Sequence, residues 1–281
     1  MSVRADFSHE VLQCHVLSIA VLGPGLPSWD VARSILGGEQ RYQRTEFEIP
    51  AVTWLPPTER RRVGKMVRLA LTVGNAAVRA AAIDASKVAT VFTSSSGDGD
   101  NCDAIFTTLA HNEKSERFIS PTRFHNSVHN APAGYWSIAN HCTLPSTSLC
   151  AYDASFAAGL VEACCQAMWT GEHILLISSD VMYPYPLSDI RPMGSNFAVA
   201  MVLKAAATDD ALAKLTLGYA AESETRMEPS ELDELRLSNP SARCLPLLQV
   251  IAQKALHSDR AAAKKIHLEY VEPVSLEVVV D

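Results

Sequence analysis

Residues 146–180 read STSLCAYDASFAAGLVEACCQAMWTGEHILLISSD, and the reading of this stretch decides the fold. STSLCAY (146–152) reads as a strand, and SFAAGLVEACCQAMW (155–169) as a helix rich in small residues. HILLISSD (173–180) is an apolar run without polar alternation, as expected of a buried strand. The order strand, small-residue helix, apolar strand predicts an α/β protein whose sheet is largely parallel and covered on both faces.

Outward from this stretch the same alternation continues. HVLSIAVL (15–22), closed by GPGLP, predicts a first buried strand, with a helix from Trp29. RRRVGKMVRLALTVGNAAVRAAA (60–82) places Val63, Met66, Val67, Leu69, Ala70 and Val73 at helical spacing, with cations at its start. KVATVFTSS (87–95) turns β-rich and runs into SSSGDGDNCD. That loop is not a phosphate cradle: no Lys follows in the required position, and Asp98, Asp100 and Asp103 would repel an anion. Helical patterning resumes over 103–113 and over 124–140, the latter interrupted by Pro132 and Gly134. Downstream, 196–204 and 213–222 read as strands, 242–257 as a helix, and KIHLEYVEPVSLEVVVD as two short β runs around Pro273. One compact domain is the simplest partition, since no internal repeat or low-complexity linker occurs.

Composition narrows the function. The 281 residues are 48% hydrophobic and 20% charged, enough for a sizeable core. A formal charge of −7 with no Lys/Arg stripe argues against nucleic acid as a partner. No apolar run approaches the ~20 residues of a membrane helix, and MSVRADFSHE lacks the apolar region of a secretory leader, so no membrane span and a cytoplasmic protein are expected. The seven cysteines are expected to be free thiols, mostly buried, in a reducing compartment. None of their spacings suits zinc, so no metal is expected.

The stretch SGDGDNCDAIFTTLAHNEKSERFISP (96–121) resembles the Ser-Gly-x-Gly loop, helix and Ile-Ser-Pro connection of β-ketoacyl synthases. NSVHNAPAGYWSIA resembles that family's Asn-x-x-Ala-Gly helix, through Asn130, Ala133 and Gly134. The opening stretch 146–180 matches the family's strand, nucleophile turn, buried helix and following strand, and GSNFAVAMVLK and LTLGYAAESE look like the next two strands. The detailed similarity spans about residues 88–225. It implies an α/β, thiolase-like layered fold (α-β-α-β-α) with a reduced C-terminal half: residues 1–193 as the synthase-like N-terminal half and 194–281 as the truncated one.

Synthases of this family carry a Cys nucleophile at the strand-to-helix turn and two His residues in the second half. Counting back from Gly171 by the family's helix length puts Ala154 at the nucleophile position, and a methyl group forms no thioester. His257 and His267 are the histidines of the second half, and neither is followed by the family's Gly-Thr. Cys150 is the fallback nucleophile; on a strand it would point into sheet or dimer contacts, and Cys164 and Cys165 sit mid-helix, where packing is their expected role. His125, His129 and His141 cluster in sequence, with His125 and His129 on one face if they share a helix, but no acidic partner follows at ligand spacing.

Among relatives, FHNSVHNAPAGYWSIA, LCAYDASFAAG and the short second half resemble the chain-length factor subunits of aryl polyene synthases. That likeness implies a non-catalytic subunit without cofactor. Such a subunit forms a heterodimer with an active β-ketoacyl synthase, which is loaded from an acyl carrier protein, and helps to bound the acyl tunnel. Ala104, Phe106, Thr107 and Leu109 would meet the growing chain, with Phe106 either its floor or part of this chain's own core, and His129 and Asn130 would likewise face the acyl tunnel or the partner. Strand 146–152 would pair across the twofold. Competing readings are an active condensing or acyl-transfer enzyme using Cys150, a decarboxylase needing donors such as Asn130 or His129, and a purely structural stabiliser.

Overall fold

The computed structural model describes residues 11–256 and 262–281. In chain order the elements are β1 (Leu12–Leu22), α1 (Trp29–Leu36), α2 (Pro57–Arg60), α3 (Lys65–Ala80), β2 (Ala89–Thr93), α4 (Gly99–Leu109), α5 (Pro121–His125), α6 (Ala131–Asn140) and β3 (Ser146–Leu149). They continue as α7 (Ser155–Thr170), β4 (Ile174–Asp180), α8 (Leu187–Ile190), β5 (Phe197–Lys204), β6 (Ala213–Ala220), α9 (Ser230–Ser238), α10 (Leu245–Leu256), β7 (Lys264–Leu268) and β8 (Ser275–Val280).

The eight strands among the described residues join one sheet in the order β3-β2-β4-β5-β1-β6-β8-β7. The expectation of a largely parallel sheet is corrected: β2 runs parallel to β3 and β4, while every other pairing is antiparallel. The cause is connection length. Parallel strands need long crossovers, which α4 to α6 supply between β2 and its neighbour β3, and α7 between β3 and β4 on the two sides of β2, whereas β4 returns antiparallel to β5 through the loop 181–196, with only the single turn α8 in it.

Two apolar layers flank the sheet. On one face Ile174, Leu176, Phe197, Val199 and Met201 pack against α1, α7 and α10. On the other, Leu175, Ile177, Ala198, Ala200 and Val202 pack against α3 and α6. Helix α3 starts at Lys65, later than its periodicity suggests, because Gly64 takes an extended conformation at its cap; the preceding residues form the separate turn α2. Its buried Met66, Leu69, Leu71, Val73 and Val78 contribute about 1.5–3 kcal/mol each, so packing rather than helix propensity holds it. In α7 the small residues permit close approach: a Cβ on Gly159 would run into Thr93 of β2.

In the second half, Leu215, Leu217, Ile266, Leu268, Leu276, Val278 and Val280 point at the α10 layer, while the alternate positions carry Lys214, Thr216, Lys265, His267 and Glu277. The helix expected over 242–257 divides into a 3₁₀ turn at Pro240–Cys244 and α10, and His257 lies outside the described residues. No helix among the described residues is long and apolar enough to cross a membrane.

Candidate functional site

The strand-to-helix turn is the centre of the site. Strand β3 stops at Leu149, short of the expected 152, so Cys150 lies beyond the strand end and is exposed. Tyr152 takes the left-handed conformation, φ 54°, and a 3₁₀ turn over Tyr152–Ala154 leads into α7. Ala154 is 5% exposed and offers the helix no side-chain cap. Its neighbour Ser155 ties the turn instead: its hydroxyl donates to the Tyr152 carbonyl at 2.7 Å and accepts from the Ala151 amide at 3.0 Å. Ser155 is fully buried, and its proton is engaged by the turn.

Beside the turn lies the loop after β2. The Cys150 thiol donates to the Ser95 carbonyl at 2.7 Å, and His129 Nε2 donates to the Ser94 carbonyl at 3.2 Å. Gly97 supplies the left-handed residue the loop needs, φ 80°, and the Asp98 carboxylate caps α4 by accepting from the Asn101 amide. Helix α4 therefore begins at Gly99, four residues ahead of the patterning at 103.

Asp180, at the end of β4, holds this loop from below. Its carboxylate accepts from Ser95 N at 2.8 Å, Ser95 Oγ at 2.9 Å, Ser94 Oγ at 3.1 Å and Ser241 Oγ at 2.7 Å. Burial raises its pKa; the hydrogen bonds, that from Ser241 foremost, oppose the rise. Asn239 donates to the Asp180 and Ser195 carbonyls, binding the 240–244 turn to the same point.

Charged groups flank the turn on its other side. Arg191 Nη2 donates to Asp153 Oδ1 at 2.7 Å, and its guanidinium carbon lies 3.3 Å from the Tyr152 ring centroid. Arg243 bonds Glu224 and Glu269, and buried Arg236 bonds Glu224 and Asp233. Glu269 has a raised pKa, from burial first and from Glu224 and Asp153 nearby, with Arg243 opposing. His267 sits apart on the outer face of β7, its Nε2 3.5 Å from Glu277.

Other expectations are corrected. His125 and His129 do not share a helix: α5 ends at His125, and His129 lies in the turn before α6, because Pro132 sits in the first turn of the new helix. Exposed His125 stacks edge-on to Tyr135, and His141 closes α6 with φ 52°. Asn130 is exposed at the α6 N-cap without a side-chain capping bond; with His129, Gly134, Ser137 and Ser148 it lines a groove of about 560 Å³. Phe106 is 62% exposed, so it is not part of this chain's core; Thr107 and Leu109 are exposed too, and Ala104 is half-buried. Cys14 on β1 and Cys164 on α7 are brought side by side with Cα atoms 5.7 Å apart, and Cys165 is exposed rather than packed inside. Sequence reasoning missed Asp180, Ser241, Asn239 and Arg191; the polar Ser-Ser-Asp ending an otherwise apolar strand was the available signal for the first of these.

The family profile described as the β-ketoacyl synthase N-terminal domain matches residues 38–263. No curated protein sequence matches the chain significantly. Among solved structures, the ketosynthase ApeO in complex with its chain length factor ApeC from Xenorhabdus doucetiae aligns at TM-score 0.71 and 20% identity, over 95% of this chain and 99% of that one. The ishigamide ketosynthase/chain length factor aligns at TM-score 0.72 and 10% identity, over 95% and 99%. A type II polyketide acyl-carrier protein complexed with its ketosynthase, AntDE:AntF, aligns at 0.71 and 11%, over 96% and 99%. Identities this low establish the fold, which is the thiolase-like α/β fold of ketosynthases.

Proposed function

Because the chain belongs to the β-ketoacyl synthase N-terminal domain family, we propose that it is a non-catalytic, chain-length-factor-like subunit that pairs with an active β-ketoacyl synthase. One observation carries the reading: the residue that closes the strand-to-helix turn is buried Ala154, with no thiol to accept an acyl group. Ser155 next to it is engaged with backbone, and the ion pairs of Arg191 with Asp153 and of Arg243 with Glu269 stand beside the turn.

The chemistry then belongs to the partner. Its Cys takes the acyl group from an acyl carrier protein, and decarboxylative condensation extends the chain while this subunit bounds the tunnel. Exposed Phe106, Thr107 and Leu109 on α4, with half-buried Ala104, support a wall that faces outward rather than into this chain. Strand β3, at the edge of the sheet with one neighbour, supports pairing across a twofold. Residues 1–193 and 194–281 serve as the two halves of one unit. Aryl polyene or related polyketide synthesis is the setting this reading implies.

The test is reconstitution. Co-expressed with a ketosynthase of such a pathway, the chain is expected to co-purify as a one-to-one complex that elongates acyl carriers, and to be inert by itself. Condensation by this chain alone overturns the reading. A second reading, an enzyme using Cys150, is favoured by that thiol's exposure close to the His129 loop.

A further inference from the structure

We propose that Arg191 is a latch that seals the strand-to-helix turn, so that an acyl thioester cannot reach position 154 while the latch is closed. The inference rests on the non-catalytic reading and adds how the turn is kept out of use. Arg191 grips the two residues before Ala154: its guanidinium donates to Asp153 at 2.7 Å and stacks 3.3 Å from the Tyr152 ring centroid. In making both contacts Arg191 is itself mostly buried. Tyr152 holds a left-handed backbone that an aromatic side chain disfavours, so the turn needs an external restraint, and this stack with the ion pair beside it provides one.

Two walls cover the turn, and they differ in how readily each yields. The 240–244 segment, which packs against Tyr152–Ala154, has Pro240, Ser241, Ala242 and Cys244 buried and is tied through Ser241 and Asn239 to Asp180. Moving it would break buried hydrogen bonds. Arg191 instead follows the four-residue α8, in a loop whose Tyr185 and Ile190 are exposed, and an ion pair and a stack hold it to the turn. Opening is easiest where buried contacts are few, so the latch is the Arg191 side.

The experiment places a reporter thiol under the latch in the full chain with Ala154→Cys and follows alkylation by iodoacetamide, peptide by peptide, in the mass spectrometer. The introduced thiol is expected to react at least about tenfold more slowly than Cys150, and adding Arg191→Ala should raise its rate about tenfold while the rate at exposed Cys165 stays level. Asp153→Asn removes the ion pair by a milder change and should accelerate the reaction in the same direction, which guards against misfolding of the first variant. Rapid alkylation with Arg191 in place, or no acceleration in either background, overturns the latch. Condensing activity of the unaltered chain would instead sink the non-catalytic reading and leave these rates to decide the latch by themselves.

Discussion

Cys150 and His129 hang from adjacent carbonyls: the thiol donates to Ser95 and the imidazole to Ser94. A catalytic pair needs the thiol proton aimed at the imidazole, and here both protons point at backbone oxygen instead. Cys150→Ser, which keeps a donor for the Ser95 carbonyl, is therefore expected to leave elongation by the heterodimer within about twofold of the parent. Radiolabelled acyl transfer to this subunit that vanishes in the Cys150→Ser variant would restore the enzyme reading.

Phe106 stands out from α4 with 62% of its surface free, so its removal leaves no cavity in this chain. Phe106→Ala should shift the thermal unfolding of the isolated subunit by no more than the equivalent of about 0.5 kcal/mol, as for other exposed sites. With the partner present, the same change is expected to lengthen the released products, read by mass spectrometry. Unaltered product length would remove Phe106 from the tunnel floor and favour the purely structural role.

Asp180 gives a pH signature. Because burial raises its pKa, the native state holds the proton more tightly than the unfolded chain. Its contribution to stability is complete below the ordinary carboxylate range and is lost as pH rises through the elevated native value. Asp180→Asn does not titrate, and its amide oxygen still accepts from Ser95, while Ser241 must turn to accept from the new amide. The variant should be less stable than the parent by about 1–3 kcal/mol near pH 5, with a deficit that narrows by pH 8. Urea midpoints at both pH values measure it; a deficit that widens with pH would mean that the hydrogen bonds outweigh burial.

The parts of this fold legible in the sequence are those set by local pattern. The apolar run of β4 and the small-residue helix α7 fall within a residue or two of expectation, and Ala154 was reached by counting back from Gly171, which does close α7 with φ 72°. Strand direction was misjudged, because it depends on how a connection crosses the sheet and not on the strand's own residues. Long-range pairs were out of reach: 150 residues separate Cys14 from Cys164, and 38 separate Asp153 from Arg191. Exposure of Phe106 was undecidable from α4 alone, since a helix face shows its neighbour only once the fold is assembled.

Arg236 allows a contrast between two kinds of ion pair. Its side chain is 2% exposed and donates to both Asp233 and Glu224, the second of which also holds Arg243. Arg236→Ala leaves Asp233 without its cation and Glu224 with Arg243 alone, beside a cavity, and the expected loss is about 3 kcal/mol, the low end for a broken buried pair because Glu224 keeps a partner. For a chain of this size that is a fall in unfolding temperature of about 6–12 °C. Lys265, 56% exposed, pairs with Glu277 at 2.7 Å, a similar distance, yet Lys265→Ala should leave the unfolding temperature almost unchanged, and salt should erase any difference. Equal losses in the two variants would mean that distance, and not removal from water, governs these pairs.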